Sequence, residues 1–214
     1  LEEVEGPVKK FFLFLLIVFL GGVGALAVTF MPARLKVPPP ITLEVPEAHP
    51  PEGVELQVIP AGKMFALAVF AYRGGNLTDR RVFGMGSILV RHPQGNLLFD
   101  AGFGRNVDAH FEMMPWLMRA TTDYQKEEPV AKQLATVGLE LDAIKAIILT
   151  HAHWEHVSGL DDMRGVPVWV PQAELDFVNS DDVNAEVAQM IGTANYQVYE
   201  FKSGPYLGFE SSYD

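Results

Sequence analysis

The hydrophobic positions of this chain are distributed unevenly, and the first run dominates the pattern. Phe11 to Met31 is uncharged and largely apolar, about the length that crosses a bilayer as one helix. Lys9 and Lys10 precede it, whereas Arg34 and Lys36 follow it, a small asymmetry that favours a cytoplasmic N-terminus. A secretory signal is the other main reading. It would use the basic pair, the apolar core Phe11 to Leu20 and the small residues Ala25-Leu26-Ala27 as a cleavage site. The apolar run continues through Val28, Thr29, Phe30 and Met31, which is long for a signal. A buried core helix is the third reading. Residues 1–10 are thus expected as an n-region and residues 11–31 as a transmembrane anchor or signal peptide. Residues 32–53 carry Pro38-Pro39-Pro40, Pro46, Pro50 and Pro51. Such a segment favours extended conformation and cannot feed a central sheet, so it reads as a linker.

From residue 54 the pattern changes to short apolar runs separated by turn signals. Val54 to Pro60 reads as a strand, and Met64 to Tyr72 as a strand or a loop lying on the core. Ser87-Ile88-Leu89-Val90 and Asn96-Leu97-Leu98-Phe99 flank Pro93-Gln94-Gly95, a hairpin signal. Arg105 to Ala120 is mixed and partly helical in character. Glu127 to Val137 places Val130, Leu134 and Val137 on one helical face, and Gly138 closes it. Ala143 to Leu149 is an apolar strand. Val166 to Val170 is another, and Pro171 opens a helix to about Val178. Val183 to Ile191 reads as helical and Tyr196 to Phe201 as a strand. Strands alternating with helices predict an α/β domain over residues 54–214.

Composition narrows the functional classes. A chain of 214 residues supports one well-buried domain. A formal net charge of −11 argues against nucleic acid as a partner. The chain has no cysteine, which excludes disulfides and thiolate metal sites.

The chemistry concentrates at Thr150-His151-Ala152-His153-Trp154-Glu155-His156. Three of the six histidines and one carboxylate fall within six residues there, directly after a buried strand. Imidazole and carboxylate are the usual ligands of zinc and similar metals. His151 and His153 can share one metal from a turning segment. Glu155 and His156 project from the start of a helix, so the set suits two metals about 3.5–4 Å apart. A closed structural zinc site, or three solvated surface histidines, are the competing readings. His49 lies in the linker and His92 at the hairpin turn. His110 follows the loop after Asp100 and could reach the cluster.

Thr150 to Gly159 resembles the metallo-β-lactamase superfamily signature T-H-x-H-x-D-H-x-x-G, and Leu97-Leu98-Phe99-Asp100-Ala101-Gly102 resembles that family's first motif. The resemblance implies an αββα sandwich, of which this chain would hold the first half. It implies that His151 and His153 bind a first metal and His156 a second. Glu155 stands where the family has an aspartate that ligates the second metal and orients a hydroxide, and Asp100 would buttress the histidine loop. Zinc, two per complete site, is the implied cofactor, with iron or manganese as alternatives. The implied activity is hydrolysis, with metal-bound hydroxide attacking the carbonyl of a small molecule, a lactone or ester in the first instance. A β-lactamase or thioester hydrolase of the same fold, an iron-dependent redox relative, and a truncated non-catalytic membrane protein are the alternatives. The family draws further histidines and an aspartate from its second half, and no histidine follows His156. The domain is therefore expected to be an incomplete N-terminal portion, with Phe209 to Asp214 as the strand leading to the next ligand. Phe111, Met113, Met114, Trp116, Leu117 and Met118 sit where N-acyl homoserine lactonases line an acyl pocket; ordinary packing or membrane contact would also explain them. Membrane anchoring or export to the periplasm is the expected localisation.

Overall fold

The computed structural model describes residues 5–32, 39, 52–191, 195–200, 205 and 209. Two units are present, one formed by Leu1–Leu43 with Ala66–Arg81 and the other by Glu44–Phe65 with Val82–Asp214. In the first unit, α1 spans Glu5–Phe30 and begins before the apolar run. Its segment Gly6–Phe30 is 25 residues long and apolar enough to cross a membrane, and none of its central window is buried. A helical turn, α2, spans Ala68–Ala71. The prolines expected as a linker lie, apart from Pro39, outside the described residues.

The second unit is built on one mixed sheet. Its strands are β1 (Glu55–Leu67), β2 (Arg80–Arg91), β3 (Asn96–Phe99), β4 (Thr122–Lys126), β5 (Ile144–Ile148), β6 (Pro167–Val170) and β7 (Asn195–Val198), in the order β4-β1-β2-β3-β5-β6-β7. Between them run α3 (Val107–Glu112), α4 (Trp116–Thr121), α5 (Val130–Thr136), α6 (Trp154–Val157), α7 (Gln172–Val178) and α8 (Glu186–Met190). Among the described residues this is one sheet of seven strands.

The expected hairpin forms. β2 and β3 are antiparallel with Leu89 opposite Leu98, and Gly95 turns the chain at φ 132°, a conformation that favours glycine. From β3 onward the neighbours are parallel: Leu98 lies beside Ile147 and Ile148 beside Trp169. Parallel neighbours require long crossovers, and these supply the helices. One side of the sheet closes on Leu89, Leu98, Ile147, Val168, Leu134 and Trp154, each almost fully buried.

Several elements depart from the hydrophobic pattern. β1 continues to Leu67 before α2 starts, and β2 begins at Arg80. β4 is polar, Thr-Asp-Tyr-Gln-Lys, and only Thr122 is buried in it. Edge strands are commonly polar, so no alternation announced it. Val137 leaves the face of Val130 and Leu134 and is 63 % exposed. The helix ends at Thr136 and Gly138 reverses the chain at φ 72°, which swings Val137 outward. β7 ends at Val198 rather than Phe201, and the strand expected at Phe209 to Asp214 lies, beyond Phe209, outside the described residues.

The loops after β3 and β5 cross at close range. Gly159 N–H donates to Gly102 O at 2.8 Å, and Ala101 N–H to His156 O at 2.9 Å. A Cβ on Gly159 would stand 2.2 Å from Ala101 O. Gly159→Ala should therefore force the loops apart and cost about 1–3 kcal/mol, as overpacking does. Urea denaturation of the variant measures this; an unchanged midpoint would refute the close crossing.

Candidate metal centre

The end of β5 delivers the histidine cluster. Leu149 N–H still pairs with Trp169 O at 3.1 Å; after it the chain turns through Thr150 to His153 and enters α6. Trp154 anchors this turn: it is 1 % exposed and stacks on Phe103 with ring centroids 5.3 Å apart. Burial of Trp154 on one side of α6 turns Glu155 and His156 towards the loop after β3.

Asp100 holds that loop in place. It is the one residue other than glycine with positive φ, 60°, among the described residues, a conformation Asp tolerates better than most side chains. One oxygen, Oδ1, accepts from Thr150 N–H at 2.8 Å, and the Thr150 hydroxyl donates to Oδ2 at 2.9 Å. Oδ2 also lies 2.8 Å from His156 Nδ1. Behind the cluster, Glu174 of α7 accepts from Ala152 N–H at 2.9 Å.

The structure brings His151, Glu155 and His156 together: one ligand atom from each lies within 4.8 Å of the other two. His153 is exposed and stands outside this group, with its ring 4.6 Å from His151 and 5.7 Å from Phe177. Asp100 sits behind His156 rather than among the three. Glu155 Oε2 is buried and has no hydrogen-bond partner among the described residues. A buried carboxylate oxygen without a partner is costly, and two imidazoles facing it form a donor set of the kind divalent zinc, iron or manganese accepts. The residues present therefore fit a metal.

The electrostatics agree with that chemistry. Burial pushes the His151 imidazole below its ordinary value, and His156 and His153 push it in the same direction. A neutral ring keeps its lone pair for a metal. Burial also opposes charge on His156, but the hydrogen bond and charge of Asp100, with Glu155 behind them, outweigh it and hold this ring above its ordinary value. His156 Nδ1 is engaged by Asp100, which leaves Nε2 for a ligand.

His110 does not reach the cluster. It is completely buried, and its Nδ1 lies 2.8 Å from Ser158 Oγ, which also accepts from Gly104 N–H at 3.1 Å. Burial holds the His110 ring below its ordinary value. His92 belongs to the hairpin turn, where its Nδ1 accepts from Gln94 N–H at 3.1 Å. His49 is outside the described residues. The Phe111 to Met118 cluster divides: Met114 is in the core and Phe111 packs on Trp154 at 5.4 Å, whereas Trp116 is 73 % exposed. Beside the metal candidates lies a different cavity of about 400 Å³, lined by Val58, Met85, Ile88 and Phe99 together with Asp100, Glu155 and His156. Glu174 and the β2 lining carry no motif in the sequence, and Ser158 falls at an unspecified position of the Thr150–Gly159 signature, so no residue type marked them out.

Residues 86–178 match the family model described as the metallo-beta-lactamase superfamily. No curated protein matches the chain in sequence. Among solved structures, a variant of AiiA from B. thuringiensis with N-decanoyl-L-homoserine bound at its active site is similar, with a TM-score of 0.59 and 19 % identity over 68 % of this chain and 59 % of that one. An N-acyl homoserine lactone hydrolase with its product at the catalytic metal centre superposes with a TM-score of 0.54 at 19 % identity, again covering 68 % and 59 %. The dizinc quorum-quenching lactonase AidC reaches 0.50 at 15 % identity, covering 72 % of this chain and 60 % of its own. The chain thus spans about three-fifths of the length of these structures.

Two outcomes follow for these residues. Asp100→Asn removes the charge behind His156, and zinc affinity, measured against a competing chelator, should fall by about 10–100-fold; unchanged affinity would show that Asp100 supports only the loop. His110 gives a pH effect of defined sign. With its folded value depressed, the unfolded state binds the extra proton first, so stability falls as pH drops below about 6.5. Denaturation at pH 7.5 and 5.5 should show a larger loss for the native chain than for His110→Gln.

Proposed function

We propose that this chain, whose second unit has the metallo-β-lactamase fold and whose residues 86–178 match that superfamily, is a metal-dependent hydrolase held at a membrane by α1. The observation that carries the reading is the convergence of His151, Glu155 and His156 around the buried, unpartnered Glu155 oxygen. These three would hold the metal, and His153, whose ring stands beside His151, is the next candidate for a second ion. When bound, zinc supplies Lewis acidity and a water of lowered pKa.

The chain's own groups have separate tasks. Asp100 fixes the His156 ring through Nδ1. Burial favours the neutral form of His151, the form that can bind a metal. Glu155 orients a water or metal from a carboxylate longer by one methylene than the family's aspartate. A displacement of that size is on the order of those that cost about a hundredfold in rate. The apolar side of the adjoining cavity, from Val58, Met85, Ile88 and Phe99, suits a substrate whose hydrolysable carbonyl carries a hydrophobic flank. A lactone or ester with an acyl chain meets that description. All three similar structures hold an N-acyl homoserine, which supports lactones as the first class to test.

The test uses the full chain in detergent or vesicles. Metal content is measured by elemental analysis, and turnover is followed with acyl homoserine lactones, simple esters, a thioester and a chromogenic cephalosporin. Bound zinc with lactone or ester turnover, both lost in His151→Ala and His156→Ala, is the expected result. Tightly bound iron with no hydrolysis would favour a redox relative. No metal bound and no turnover after addition of zinc, manganese or iron would overturn the reading. Glu155→Asp should raise the occupancy of a second metal; unchanged stoichiometry would show that the longer carboxylate is not what limits it.

A further inference from the structure

The segment between β1 and β2 is built onto the end of α1. The last carbonyls of any helix lack partners within it, and inside a bilayer such groups must be satisfied by the protein itself. Arg73 does this for α1: its Nε donates to Met31 O at 3.0 Å and its Nη2 to Val28 O at 3.3 Å. Phe70 meets Phe30 edge to face at 6.4 Å. The approach is tight. Gly74 lies against Pro32, where a Cβ would stand 3.0 Å from Pro32 Cα, and a Cβ on Gly75 would stand 2.0 Å from Ala68 O. The contacts of Arg73, Phe70 and Gly74 with α1 and Pro32 join residues about 40 positions apart.

What this segment exposes is unusual for a loop tip. Phe70, Tyr72 and Leu77 are 43 %, 48 % and 68 % exposed, whereas exposed loops are normally polar. An aromatic ring with a hydroxyl, a phenyl ring, an aliphatic side chain and an arginine are the groups that settle at the boundary between headgroups and hydrocarbon. They are fastened to the last turn of a 25-residue helix that is itself long enough to cross a bilayer. That turn is where the hydrocarbon would end.

We propose that residues 68–79 form an interfacial foot: Phe70, Tyr72 and Leu77 enter the headgroup region of a phospholipid bilayer, and Arg73 ties the foot to the end of α1. The proposal rests on the reading of α1 as a membrane anchor. Its partner is a lipid surface, and its consequence is that the unit containing α1 grips the membrane at two points, through the helix and through the foot.

The absence of cysteine from the chain makes a clean test possible. Leu77→Cys, Leu16→Cys and Val137→Cys each place a single thiol for an environment-sensitive fluorophore: on the foot, within α1 and at an exposed apolar position of the second unit. The full chains are reconstituted into phosphatidylcholine vesicles containing lipids with a nitroxide near the headgroup or deep in the acyl chain. The label at position 77 should be quenched by the shallow nitroxide about twofold or more beyond the label at position 137, as expected for an interfacial group. The label at position 16 should be quenched by the deep nitroxide. Arg73→Gln should reduce quenching at position 77 and leave position 16 unchanged. Quenching at 16 with none at 77 would overturn the foot and leave the anchor standing; quenching at neither would overturn both. A label at 77 shielded from aqueous iodide yet untouched by nitroxide lipids would assign the surface to a protein partner and overturn the proposal. None of these readouts depends on metal or turnover, so they fail independently of the hydrolase reading.

Discussion

The carboxylate of Asp100 is the contact on which the candidate site depends. One side chain fastens the second residue beyond β5, Thr150, and a ring in α6, that of His156. Further along the same loop, Glu174 accepts from Ala152 N–H and the first turn of α6 closes on His153 O. The left-handed conformation of Asp100 is the backbone cost of aiming the carboxylate across the sheet edge. Such conformations persist where surrounding structure over-determines them. Here the surroundings are the hydrogen bond from Asp100 N–H to Ile148 O and the paired crossing of Ala101 with His156 and Gly102 with Gly159.

The sheet makes this contact possible. β3 and β5 are parallel neighbours, so both strands leave the sheet at the same edge, and residues 50 or more positions apart meet there. The helices of the crossover then close the core from one side, with Trp154 and Phe103 stacked beneath the loop. A rigid aromatic floor under a short helical turn holds Glu155 Oε2 buried with no hydrogen-bond partner among the described residues, a position that a metal would satisfy. His110 and Ser158 extend the same logic further back, as a buried polar pair that receives the Gly104 N–H.

Much of this was legible in the sequence for identifiable reasons. Pro93-Gln94-Gly95 between two apolar runs specified the hairpin because only glycine accepts the turn's backbone angle readily. β5 and β6 were legible because they are short, mostly apolar runs whose central residues are buried. The histidine cluster was legible because its spacing matches a family signature. β4 was not, since a polar edge strand carries no hydrophobic alternation, and its pairing is decided by β1 beside it. The outward turn of Val137 followed from where α5 stops, one residue earlier than its periodicity suggested. The apolar cluster from Phe111 to Met118 could not be divided into core and surface residues by composition; contact with Trp154 and Tyr124 did that.

The sequence alone determined the ligand types, the alternation of strands and helices, and the apolar N-terminal helix, because each depends on residues close together along the chain. Only the tertiary structure decided which donors converge. It groups His151, Glu155 and His156, leaves His153 at the rim, sends His110 beneath Ser158, and brings Arg73 to the last carbonyls of α1. The His110–Ser158 and Arg73–α1 pairings join residues more than 40 positions apart, and the grouping within the histidine cluster follows how α6 is tied to Asp100, 56 positions before His156. Their geometry is set by strand register and core packing, which no local pattern encodes.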